Sequence, residues 1–238
     1  MVPQSSADYT AGHARRRVVL GATCFADAEG GLHIAVELAR HAGAELHGLL
    51  VREEASLSAV RVFRARTISF TGEPASEVTE TALLRAYRAD ARRFAERLGG
   101  AARLARVAAE FQATEGRLWD AVQKAAGPGG VAVFGYRRAV GDSGSVVLVL
   151  GQGRDVPGFA ASLAAGMKKH LVILSEGAQQ PARAAGEVYH GPDELLQRLG
   201  ALSPAAVIVA ADPATLPPAA RVVEAARCPV VFAAAKEG

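Results

Sequence analysis

The chain alternates short, wholly apolar runs with longer stretches in which apolar residues recur every three or four positions. Val18-Val19-Leu20-Gly21-Ala22 is apolar on both faces, the pattern of a strand buried in a parallel sheet. Asp27 can cap the segment that follows, where Leu32, Ala35, Val36, Leu38, Ala39 and Ala42 form a helical stripe and Gly43 supplies a stop. Leu46 to Val51 reads as a second strand, which completes a strand–helix–strand unit with a right-handed crossover. Over residues 53–72, Val60, Val62 and Ile68 fit either a short strand or an ordered loop. Pro74 and Ser76 open a predicted long helix to about Leu98, with Val78, Leu83, Tyr87, Phe94 and Leu98 on its apolar face and Gly99-Gly100 as its end. A third strand is predicted at Leu104 to Ala109. Thr114 is placed to cap a helix carrying Leu118, Trp119 and Val122, and a glycine-rich turn leads to a fourth strand, Val131 to Phe134.

The pattern then begins again. Val146 to Leu150 is a strand, Pro157 to His170 a helix, and Leu171 to Leu174 a strand. A short strand at Glu187 to His190, a helix at Pro192 to Leu199, a strand at Ala206 to Ala210, a helix near 216–227 and a last strand, Pro229 to Ala233, complete the series. The predicted fold is α/β, with parallel-sheet, Rossmann-like units in tandem. Residues 1–14 form a loose tail, 15–144 the first unit, and 145–238 a shortened, degenerate second unit. The second unit lacks a counterpart of the long Arg-rich helix, and the first lacks a closing helix and strand.

Composition narrows the class. Of 238 residues, 50% are hydrophobic and 21% charged, ample for a core and incompatible with a disordered chain. Two cysteines, Cys24 and Cys228, cannot build a disulfide framework or a four-ligand zinc site. No apolar run nears the ~20 residues that span a bilayer, so no membrane role is expected. The first residues lack a secretory apolar stretch, so the cytoplasm is the expected location. A net charge of +3 does not single out nucleic acid as a partner. The arginines from Arg85 to Arg106 have no interleaved aromatics and are diluted by Glu80, Asp90, Glu96 and Glu110, which fits a solvated helix face.

The segment RRVVLGATCFADAEGGLHIAVELARHAGAELHGLLVRE resembles the opening unit of the universal stress proteins, and RVVEAARCPVVFAAA resembles that family's closing helix, Cys-Pro and last strand. The resemblance implies a tandem, diverged version of that fold. It also implies a nucleotide site built from an Asp at the end of the first strand, a backbone contact at the end of the second, and a Gly-x-x-Gly loop after the fourth, followed nine residues on by Gly-Ser or Gly-Thr. Glycines in such a loop let the backbone approach phosphate closely, and free N–H groups there attract anions. The chain departs from this pattern. Gly21-Ala22-Thr23 stands where the Asp belongs, Arg138 replaces the second loop glycine after Gly135, and Gly144-Ser145 arrives early. In the second half Ala210-Ala211-Asp212-Pro213 replaces the loop.

The candidate nucleotide- or anion-binding residues are therefore Gly21, Ala22, Thr23, Val51, Gly135, Arg137, Arg138, Gly144 and Ser145, with ATP or another adenine nucleotide as the implied ligand. The loop from Gly135 to Ser145 fits either an anion cradle, because ligands sit at strand ends in such sheets, or a plain surface turn. Gly151-Gln152-Gly153 precedes a helix but has the wrong spacing for a dinucleotide loop, and Asp155 would repel phosphate, so a tight turn is favoured. Six dispersed histidines offer no close metal pair. Cys24 could be exposed at a helix start, whereas Cys228 is expected to pack as an apolar group. No nucleophile has a companion base in sequence, so no catalytic residue is assigned and the chain is not expected to be an enzyme. The resulting reading is a stress-response regulator acting by binding, with an ATP-binding form using the first unit as the first alternative and a nucleotide hydrolase as the second. An unidentified protein partner belongs to that reading. The last strand is expected to leave an unpaired edge or to form a homodimer.

Overall fold

The computed structural model describes residues 16–54, 66–68, 74–77, 79–137, 144–177 and 186–233. The predicted tail, Val60, Val62 and Arg138 lie outside these residues. The strands are β1 (Arg17–Ala22), β2 (Glu45–Arg52), β3 (Arg66–Ile68), β4 (Pro74–Glu77), β5 (Ala109–Glu115), β6 (Val131–Phe134), β7 (Val146–Leu150), β8 (Leu171–Glu176), β9 (Gly186–Tyr189), β10 (Ala206–Ala210) and β11 (Val230–Ala233). The helices are α1 (Phe25–Ala42), α2 (Glu80–Ala105), α3 (Leu118–Ala126), α4 (Gly158–Gly166), α5 (Pro192–Leu202) and α6 (Ala219–Ala226).

All strands except the β3–β4 hairpin join one nine-stranded sheet in the order β5-β2-β1-β6-β11-β10-β7-β8-β9. Its pairings are parallel apart from β11 with β6. This is the α/β class that the apolar runs predict. Central strands are wholly apolar because both faces are covered. Leu20, Leu46, Val133, Leu148 and Ile208 point toward α1, α2 and α4, and their neighbours Val19, Leu49, Ala132, Val147 and Val207 point toward α3, α5 and α6.

The two halves follow one winding rule. In the first, the strands stand in the order β5-β2-β1-β6: the chain runs outward from β1 to β2 to β5 and returns to the other side of β1 as β6. In the second, β7, β8, β9 and β10 repeat that path, and β11 adds a fifth position.

Corrections to the predicted boundaries have local causes. The third strand is not at Leu104 to Ala109, because α2 continues through Gly99-Gly100. Leu98 and Ala102 stay buried on its inner stripe, and that burial outweighs the ~1 kcal/mol each glycine costs in a helix. The helix stops at Arg106, at φ 58°, where the N–H groups of Arg106 and Val107 return to the carbonyls of Arg103 and Ala102. Its start is also later than predicted: Pro74–Glu77 is strand, and the Thr79 hydroxyl caps the helix by accepting from the Ala82 N–H at 3.2 Å. Thr114 lies in β5 rather than capping α3.

The largest correction concerns the last strand. β11 is parallel to β10 through Val207↔Val230 to Val209↔Phe232, and antiparallel to β6 through Val230↔Phe134 to Ala233↔Val131. It has no free edge. The unpaired edge or homodimer expected there is replaced by a pairing inside the chain. Trp119, Phe134 and Phe232 seal this seam on one face: Trp119 stacks on Phe134 with centroids 5.1 Å apart, and Phe232 meets both rings edge-on.

Candidate functional site

In a sheet wound this way, the crevice for a ligand opens where the chain departs to opposite sides, beyond the carboxyl ends of β1 and β6. Gly21 and Ala22 lie buried in β1, and a Cβ on Gly21 would overlap Val122 of α3. Thr23 is exposed beyond them. Gly135, next after β6, is held by its N–H on the Gly21 carbonyl at 2.9 Å. The structure thus brings Gly21, Ala22, Thr23, Gly135 and Arg137 to one strand exit. Val51 is fully buried against the α3 side of the sheet. Gly144 is exposed, and Ser145 uses its carbonyl to accept the Ala205 N–H at 2.8 Å, at the start of β7.

Acceptors at this exit come from the chain itself. Cys24 sits at the N-cap of α1 without a side-chain cap. Asp27, expected as the cap, stands in the first turn instead. Its carboxylate accepts the Arg137 N–H at 2.8 Å and the Cys24 thiol at 3.2 Å. A second carboxylate, Asp90 of α2, accepts the Phe25 N–H at 3.0 Å. These are the donors and the positive dipole end that would otherwise favour an anion. Burial pushes the Cys24 thiol up from its usual range, and the adjoining Asp27 charge adds to this, so the sulfur is a held donor rather than an activated thiolate.

Backbone packing is tight beside the same exit. A Cβ on Gly135 would overlap the Asp27 carbonyl, and one on Gly30 would overlap the Tyr136 carbonyl. Gly31 is also tight: a Cβ there would come within 3.1 Å of the Gly135 Cα. These glycines serve close approach of two backbones, α1 and the segment after β6. Asp27 and Asp90 were the residues that sequence reasoning missed. An acid in the first turn of α1 was visible, but its bond to Arg137 crosses 110 positions and that of Asp90 to Phe25 crosses 65.

The second half ends its strands in another way. Gly151 donates to the Ala210 carbonyl at 3.1 Å, and a Cβ there would come within 2.8 Å of the Ala211 Cα. Arg154 N–H returns to the Gly151 carbonyl and Gly153 takes φ 70°, the tight turn expected from the sequence. Asp212 folds its carboxylate onto the Ala214 N–H at 2.9 Å in a local turn. Cys228 is buried, as expected. Among the described residues, no three His, Cys, Asp or Glu side chains are grouped to hold a metal, and no helix is long and apolar enough to cross a membrane.

No family model matches the chain, and no curated protein matches it. Solved structures do align along most of its length. One is a protein from the universal stress protein family of Burkholderia pseudomallei (14% identity, 94% of this chain and 100% of that one, TM-score 0.31). Another is a universal stress protein from Archaeoglobus fulgidus (11% identity, 92% and 97%, TM-score 0.42). A third is a universal stress protein from Pseudomonas aeruginosa (12% identity, 93% and 94%, TM-score 0.44). Likenesses this distant carry no information about chemistry.

Proposed function

We propose that the chain is a universal-stress-type regulatory protein, built as two fused units, that acts by binding a partner and not by turning over a nucleotide. The observation that carries this reading is the pair of carboxylates, Asp27 and Asp90, on the N–H groups of Arg137 and Phe25 at the amino end of α1. A triphosphate entering there would meet two negative charges in place of free donors, and close backbone packing in place of a cradle. Support for the two fused units is the repeated strand path, with β11 serving as the closing strand of one half and as the antiparallel neighbour of the other. At the first exit the Cys24 thiol, held as a donor to Asp27 and pushed up by burial, is a poor nucleophile, which favours binding over hydrolysis.

Two measurements on the wild-type protein test this. Native mass spectrometry after gentle purification is expected to give the bare chain mass. Thermal unfolding with millimolar ATP and magnesium is expected to show no saturable rise in midpoint. A carried-over nucleotide, or a saturable rise that Arg137→Ala abolishes, would establish the ATP-binding form instead. Phosphate release that persists through repeated purification would establish the hydrolase.

A further inference from the structure

A different part of the first half keeps unspent binding capacity. On the side of the sheet facing α1 and α2, β2 and β5 end beside the first turns of α2. The Tyr87 hydroxyl lies 2.9 Å from the Leu50 carbonyl and 3.1 Å from the Thr114 carbonyl, so its proton is committed to the two strand ends. Burial also pushes the phenol up from its ordinary range, which keeps it protonated. The Arg52 guanidinium lies 5.7 Å from the Tyr87 ring centroid and pairs with Glu115. These contacts fix the guanidinium plane, yet the Arg52 Nε is buried and has no hydrogen-bond partner. A buried donor left unpaired is destabilising until an acceptor reaches it. Arg88, the next residue after Tyr87, is exposed and has no acidic partner among the described residues. Together with Thr114 these side chains line an open cavity of about 750 Å³, within the ~300–1,000 Å³ usual for small-ligand sites.

We propose that this groove binds a small molecule through a multiply charged oxyanion group, phosphate or clustered carboxylate. Among the described residues, two guanidiniums and one carboxylate line the groove, so its wall carries an excess of positive charge. Arg52 is already oriented by its ring and partner, so little side-chain freedom is lost when an oxygen takes its Nε–H. Glu115 is the yielding member of the pair: its side chain is 69% exposed against 19% for Arg52, so an incoming anion can displace it into water. Arg88 then supplies the second fork from above. Both Arg85 and Arg92, one helical turn away on either side, extend the positive field toward solvent. The groove is separate from the β1–β6 exit, since Val51 turns to the α3 face while the neighbouring Arg52 packs with Tyr87 on the opposite one.

The test is a titration of the full chain with pyrophosphate and, separately, with citrate at fixed ionic strength, followed by the nitrogen–proton signal of the Arg52 Nε–H. A saturable shift is expected with at least one probe. Binding should weaken at least tenfold in Arg88→Ala, whose exposed position leaves the unfolding midpoint in place, and should be unchanged in Arg137→Ala. The stronger probe identifies the anion as phosphate or carboxylate. No saturable shift with either probe, or equal affinity in Arg88→Ala, overturns the proposal. Nucleotide binding at the β6 exit would be recognised separately, because Arg137→Ala would remove it and leave the Arg52 signal intact.

Discussion

The two halves solve the same geometrical problem with different materials. Each has a strand exit where the winding reverses, and at each a glycine N–H bonds the carbonyl of the neighbouring strand, Gly135 to Gly21 and Gly151 to Ala210. In the first half the contacts reach sideways to α1 and α2: Asp27, Asp90, Gly30 and Gly135 all take part. The second half relies on local turns at Gly151–Arg154 and Asp212–Thr215. The difference teaches that the backbone groups at a strand exit can be satisfied in two ways. They can bond to distant acids of the same chain, or turn back on their own neighbours.

The comparison depends first on the seam that holds the halves together. Val231 is fully buried in β11 between β6 and β10. Val231→Asp is expected to cost roughly 4–5 kcal/mol, since it buries an unpaired charge. Denaturant unfolding would show it, and a change below ~1 kcal/mol would break the shared-strand account. Trp119→Ala should follow at about 3 kcal/mol, with loss of both ring contacts in the seam. The glycines then sharpen the contrast between exits. Gly135→Ala should cost about 2–3 kcal/mol because its Cβ would overlap a backbone carbonyl, and Gly151→Ala about 1–2 kcal/mol because its nearest neighbour is 2.8 Å away. Reversal of that order would show that the first exit is looser than described. Asp27→Ala is smaller, about 1 kcal/mol, from two lost hydrogen bonds at a half-exposed turn.

A pH effect comes last. Burial holds the His47 imidazole below its ordinary 6.5, partly offset by Glu110. The unfolded chain therefore binds the proton more readily, and stability falls as the pH drops below about 6.5 toward the folded value. His47→Gln should flatten that part of the stability profile, and an unaltered slope would assign it elsewhere.

The sequence was most legible where burial is two-sided. Val18 to Ala22 and Val146 to Leu150 declare themselves as strands because both faces need apolar residues. The end of α2 was hidden because tertiary burial of Leu98 and Ala102 overrides a glycine pair, and because the left-handed stop falls on Arg106 and not on a glycine. The double pairing of β11 was unreadable from Val230 to Ala233, since an apolar run does not say how many neighbours it has. At the site, the glycine at 135 leaves room for the Asp27 carbonyl, a contact that no local pattern announces. The groove at Arg52 and Tyr87 left no motif at all, because it arises from side chains of three separate elements.

The most direct test of the proposal that the first exit takes no nucleotide is a backbone amide spectrum of the wild-type chain titrated with ATP and magnesium. The Arg137 and Phe25 amides, already bonded to Asp27 and Asp90, should keep their positions up to millimolar nucleotide. Saturable movement of both signals, with Gly135 moving in step, would contradict the account.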